Sequence, residues 1–263
     1  MKILLLLLTP LLLFSKVYYA KLEPIESITL KSAVLAQVTM AKIKLEGTKV
    51  SSSTIIKLDD KLDNIKLKSS RSSLKIIDRM IKTNNNILIA LQSSLERKEE
   101  YYNRLSTIIS ASKTQKDNAF YGYINAKTQY LSTKEKIDSL KKQKIDLHYE
   151  IARLKDSISK KSIHIKNKFI DKLLVHKGDF VNMGTPLAIV KDLTSAKLVL
   201  FLEADELKEI RKRAIYIDNK RTNYKIYKIW SVTDKKYISS YRTEILIKNP
   251  KNSFSKLLKV EFK

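Results

Sequence analysis

"VHKGDFVNMGTPLAIV", residues 175–190, holds two of the chain's four glycines, six residues apart. A glycine followed by a polar residue, as in Gly178–Asp179, suits a tight turn that needs positive φ. The end of the stretch, TPLAIV, alternates β-branched and aliphatic residues and reads as a short strand. A quieter version lies upstream as "KLEGTKVSSSTIIKL", residues 44–58. Aligning Gly47 on Gly178 sets Val50 against Val181, Ser53 against Gly184, Thr54 against Thr185, Ile56 against Leu187 and Leu58 against Ile189. Both copies read as strand, turn, short strand. Gly47, Gly178 and Gly184 are the expected turn residues of one split β domain.

The region between the copies has a different period. Proline is absent from Ile25 to Thr185, so nothing there breaks a helix interior. Leu67, Leu74, Ile81, Leu88, Leu95 and Tyr102 recur every seventh residue, with Ile77, Leu91 and a polar Asn84 at the second position. A second series runs Ala119, Tyr123, Ala126, Tyr130, Thr133, Ile137, Leu140, Lys144, Leu147, Ile151, Leu154, Ile158 in alternating steps of four and three. Such periodicity predicts a coiled-coil seam. The polar stretch STIISASKTQKDN, residues 106–118, interrupts the phase. Two helices joined by a short link pack antiparallel. Asp59 and Asp60 suit the positive end of the first helix dipole. Ser70 falls off the apolar series and is expected to be tolerant of charge.

The N-terminus, MKILLLLLTPLLLF followed by SKVYYA, has the basic start, apolar core and polar exit of a secretory signal, with a cut expected after Ala20. An uncleaved inner-membrane anchor is the alternative. The chain has no cysteine, which excludes disulfides, thiolate metal sites and a cysteine nucleophile. The formal net charge is +25, and removing Lys2 and Lys16 with no acid leaves +23. The lysines are scattered, which reads as a solvated surface rather than a nucleic-acid footprint. Attraction to an anionic membrane surface is the functional alternative.

With these elements in place, "LVHKGDFVNMGTPLAIVKDLTSAKLVLFLEADELKEI" resembles the second lipoyl-type half-motif of bacterial periplasmic adaptors, the HlyD-like membrane fusion proteins. "KIKLEGTKVSSSTIIKLDDKL" resembles the first half, and the tail, from FLEADELKEI to KLLKVEF, resembles the adaptor β-barrel. The resemblance covers roughly residues 26–263 and implies an α+β fold. A long antiparallel α-helical coiled-coil hairpin is inserted in a split lipoyl-like β domain, followed by a small β-barrel. The expected boundaries are 1–20 for a signal peptide or N-terminal anchor, 26–58 for the first lipoyl-like half and 59–161 for the hairpin. The second half takes 162–195 and the barrel 196–263. The family's usual glycines near Lys212–Ala214 and in the last barrel strand are missing, as is a clear membrane-proximal domain.

The resemblance implies a non-enzymatic subunit without cofactor or metal. It would link an inner-membrane transporter, preferably of the resistance–nodulation–division type, to an outer-membrane exit duct, in a self-associated ring or tube. An ATP-driven export system is the second choice of transporter, and a periplasmic coiled-coil spacer is the alternative of another class. The tip motif of duct-docking relatives maps onto Arg104, Ile108 at a leucine position, Ser112, Asp117 and Ala119, with a turn three residues tighter. An arginine and hydroxyls there can bond the carbonyls and carboxylates of partner helix ends. His148, His164 and His176 lack metal-ligand spacing. A lipoyl or biotinyl carrier would need a lysine on a tight hairpin. TMAKI (39–43) and IDKL (170–173) match only superficially.

Overall fold

A computed structural model describes residues 16–234, 236–248, 250 and 254–263. The apolar run to residue 15, on which the export signal is read, lies outside the described residues.

The chain divides into a β-rich unit, residues 1–57 and 163–263, and a helical unit, residues 58–162. The helical unit is thus an insertion within the other. Its two helices are α1 (Lys61–Thr107, 47 residues) and α2 (Lys113–Lys160, 48 residues). At 1.5 Å per residue each is about 70 Å long.

Burial in the helices follows the heptads. Leu67, Ile77 and Asn84 are buried in α1, as are Ala119, Ala126, Ile137, Leu140, Ile151 and Leu154 in α2. Leu74, Ile81, Leu88, Leu95 and Leu147 are half-buried at the same phase. Asn84 Nδ2 donates to the Met80 carbonyl one turn back (2.7 Å), so its amide is bonded within its own helix. Ser70 departs from expectation. It is only 7% exposed, because it sits three residues after Leu67 and takes a seam position where a small side chain fits.

The link between the helices is also shorter than the polar stretch suggests. Ser112 caps α2 by accepting from the Gln115 amide, while Gln115 accepts from the Ser112 amide. This reciprocal box starts the helix at Lys113 and draws half of the polar stretch into it.

In the β-rich unit the strands are β1 (Val17–Lys31), β2 (Ala36–Ala41), β3 (Lys49–Leu58), β4 (Ser162–Leu173), β5 (Phe180–Val181) and β6 (Pro186–Glu203). A one-turn helix, α3 (Ala204–Leu207), precedes β7 (Ile215–Ile217), β8 (Lys220–Thr222), β9 (Ile226–Thr233), β10 (Ser240–Lys248) and β11 (Leu257–Phe262). Among the described residues the order is β5-β2-β3-β4-β6-β1-β11-β7-β8, with β10 on β6 and β9 on β10.

The two glycine stretches share this sheet with β4 between β3 and β6. They interlock through β2 and β5, where Ala36 faces Val181 and Gln37 faces Phe180. The repeat is imperfect. β3 runs unbroken through Ser53, whereas Gly184 turns the chain between β5 and β6. Ser53 carries a Cβ and keeps an extended conformation, so the first copy lacks the second turn.

β1 and β6 each serve two neighbourhoods. β1 pairs with β11 from Val17 to Lys21 and with β6 from Leu22 to Lys31. β6 pairs with β4 near Ala188–Lys191 and with β10 from Ser195 to Glu203. Alternate residues Leu198, Leu200 and Leu202 of β6 pack with Ile245, Val260 and Phe262 in a continuous apolar cluster. Ala20, 1% exposed, belongs to that cluster, and Tyr18 packs edge-on against Phe262. The strand therefore starts inside the segment expected to end at Ala20.

Candidate functional site

Two features of the helical unit bear on recognition. The first is the hairpin tip, residues 104–112. Arg104 lies in the last turn of α1, and its guanidinium, 69% exposed, meets Glu100 at 3.7 Å. Ile108 is the C-cap of α1 and is exposed; Ser112 is the N-cap of α2. The three expected residues therefore share one end of the hairpin. The Ser112 hydroxyl already accepts the Gln115 amide, which leaves its proton as the group it can offer a partner.

Sequence reasoning missed Ile109, which is fully exposed. An apolar residue in a short link looks like any core residue when read without coordinates. Below the tip, Tyr102 stacks on Tyr123 and tilts against Phe120, tying α1 to α2. Beside this clasp, Lys98, Tyr101, Gln115, Asn118, Ala119 and Gly122 line a notch of about 190 Å³. An added Cβ at Gly122 would be in ordinary van der Waals contact with the Lys98 stem, at 3.9 Å.

The second feature is at the other end of the helices. Lys161 Nζ meets Asp63 at 2.9 Å, and Ser157 donates to the same carboxylate. Lys161 holds the Asp63 carboxyl below its usual range, with Ser157 adding to the effect.

In the β-rich unit, the expected turn glycines all adopt positive φ: 71° at Gly47, 103° at Gly178 and 86° at Gly184. The Gly178 amide donates to Val38 and the Gly184 amide to Ser32, each at 2.8 Å. The turns thus bind the second half-motif to the first. They also display apolar side chains, since Leu35, Phe180 and Met183 are between 66% and 77% exposed.

The carrier-like lysines are placed otherwise than a modification site requires. Lys172 lies within β4, and the Lys42 ammonium donates to Ser53 at 2.9 Å beside the turn Ile43–Leu45. His164 Nε2 meets the Ser52 hydroxyl at 3.0 Å, a contact within the sheet.

Solved structures superpose on this fold. MacA from Actinobacillus actinomycetemcomitans superposes with a TM-score of 0.73 at 15% identity, over 95% of this chain and 78% of that one. The membrane fusion protein Spr0693 from Streptococcus pneumoniae R6 gives 0.59 at 10% identity, over 95% and 99%. The fold is that of membrane fusion proteins. The periplasmic adaptor protein EmrA matches this membrane-fusion-protein fold at 0.51 with 14% identity, over 94% and 98% of the two chains. No protein-family model matches the sequence, and no curated protein does. Among the described residues no helix is long and apolar enough to cross a membrane.

Proposed function

We propose that this chain is the periplasmic adaptor of a tripartite efflux pump, linking an inner-membrane transporter to an outer-membrane exit duct. The observation that carries this reading is the hairpin, about 70 Å long, inserted into a split β domain and ending in an exposed Ile109. A helix pair of that length with a narrow apolar seam and charged flanks is suited to reach. Fold-level likeness to membrane fusion proteins supports the same role. The adaptor's work is sealing and coupling through interfaces, in a ring or tube of several copies, and no bond chemistry is assigned to it.

In this reading the residues from Glu26 to Leu58 and from Ser162 to Ser195 are the lipoyl-like halves. The remainder, from Ala196, is the barrel that faces the transporter. A proton-driven transporter of the resistance–nodulation–division type is preferred on the signal-like N-terminus, over an ATP-driven exporter. Ala20 is buried and Val17 begins β1, which supports a cut before Lys16 over one after Ala20.

The chain has no cysteine, so a single Ile109→Cys substitution gives one unambiguous crosslinking position. In cells, that position should crosslink to an outer-membrane exit protein, and an affinity tag on the same chain should capture the transporter. Crosslinks to copies of itself alone, with no transporter recovered, would support the spacer reading and remove the pump assignment.

A further inference from the structure

The tail of the β-rich unit carries a concavity of about 500 Å³ between the turn before β7 and the connection from β8 to β9. Its lining includes Arg211, Lys212, Arg213, Arg221 and Lys225, and no acidic residue. Lys212 reaches Glu209 at 4.0 Å. Arg211, Arg213, Arg221 and Lys225 have no ion pair among the described residues. All five cations are exposed, so they concentrate positive potential around one hollow rather than neutralising partners.

Strand register locates this hollow. Glu261 of β11 pairs with Val17 on one side and with Tyr216 on the other, and Phe262 pairs with Ile215. Thr222 pairs with Ile215 across β7 and β8. The start of β1, the start of β7 and the exit from β8 therefore share one end of the sheet. Arg213 is close enough to Tyr18 for its charge to act on the phenol. The fifteen residues before Lys16 are apolar apart from Lys2, Thr9 and Ser15. The acidic groups at this end are engaged: Glu203 and Glu206 by Lys16, and Glu261 by Lys259 and Lys263.

We infer that this basic concavity binds the phosphate headgroups of anionic phospholipids. Charge complementarity selects that occupant, and Lys16, which follows the apolar run in sequence, lies at the same end of the sheet. An anionic leaflet attracts surface cations, and the effect falls off within a Debye length, so cations gathered on one face count most. Arginine forks suit phosphate oxygens.

The test uses the full chain with vesicles of phosphatidylcholine alone or mixed with phosphatidylglycerol, read by co-sedimentation. The wild type should bind the anionic vesicles more tightly, with a strong salt dependence. R211Q/R213Q/R221Q should lose that preference by on the order of a hundredfold and keep whatever weak binding the wild type shows to neutral vesicles. K134Q/K141Q/K155Q, which removes the same charge from α2, should retain most of the preference. Equal loss in both triple variants would reduce the effect to net charge and overturn the site. So would binding indifferent to phosphatidylglycerol. Unchanged vesicle binding with lost transporter capture in R211Q/R213Q/R221Q would reassign the hollow to an acidic protein partner. Vesicle binding does not depend on export, so this site and the adaptor reading fail separately.

Discussion

Asp63 and Lys161 fasten the first turn of α1 to the residue that ends α2, at 2.9 Å and with only 24% and 13% of their side chains exposed. The Lys161 carbonyl also accepts the Leu58 amide, so one residue closes the helical unit by both backbone and side chain. Asp63→Asn should cost about 1 kcal/mol, the upper range for a partly screened pair. Because Lys161 depresses the Asp63 carboxyl from 3.8, the contribution is present above that pH. It is lost as pH falls through the lowered folded value. Melting curves of both proteins should differ at neutral pH and converge in acid; a constant difference would show that the pair is not the cause.

Asp192 offers a second acid-sensitive tie. The Thr194 hydroxyl and amide, then Lys168, hold its carboxyl down from 3.8 to about 2. Lys168 reaches Glu26 of β1 as well as Asp192 of β6, at 3.4 and 2.9 Å. The folded value lies below the unfolded one, so this stabilisation is complete above about 3.8 and disappears as pH falls toward about 2. After solvent screening it amounts to on the order of 1 kcal/mol. Urea midpoints of wild type and Asp192→Asn across that window should approach one another as acid is added.

Ile137 and Leu140 are 3% and 5% exposed, so Asp at either position should cost several kcal/mol through an uncompensated buried charge. Ser132→Asp, on the exposed face, should change stability by no more than about 0.5 kcal/mol. Ser70→Asp belongs with the costly group, since Ser70 is buried. Equal thermal shifts for all four would mean that the apolar register does not hold the helices together.

Gly178→Ala and Gly184→Ala test the turns. Nothing lies within 4 Å of a Cβ at either position, so the cost is conformational. Forcing a Cβ into positive φ costs about 1–3 kcal/mol. Gly184→Asn should lose less than Gly184→Ala, because Asn visits this region more readily. Equal denaturation midpoints for the two would point to sterics rather than backbone.

Arg104→Glu places a negative charge in the last turn of α1 beside Glu100. The helix dipole and the like-charge neighbour together cost up to about 1 kcal/mol, and far-UV helicity should be nearly unchanged. Substrate accumulation in cells should rise as export fails, with normal expression and transporter capture. Wild-type export by this variant would remove the docking role of Arg104.

The features most legible in the sequence were those written in a local period. Every member of the series from Ala119 to Ile158 is buried or half-buried in α2, and Lys116, Gly122, Glu150 and Ser157 are half-buried beside it. Single residues fared worse where their partners are remote. Ser70 looks like surface until Leu67 and its neighbours place it in the seam. Ser53 looks like the counterpart of Gly184 until β3 is seen to continue through it. Ile109 and the five cations around the basic concavity gave no pattern at all. Their meaning comes from which strands bring residues 211–213 beside 221–225, and no short window of sequence contains that information.

β6, 18 residues long, runs without a break from the turn at Gly184 to the start of α3, with β1 alongside it. Covalent strands thus join the sheet around the glycine turns to the apolar cluster of β10 and β11. Such a ribbon is stiff under tension and compliant in torsion. Its weak point is the irregularity between Pro24 and Glu26. A load applied at β10 would travel along peptide bonds into the turns, and motion would be confined to twisting about that irregularity. Pulled from its ends by an optical trap, this part of the molecule should yield as one mechanical element, not as two beads on a string.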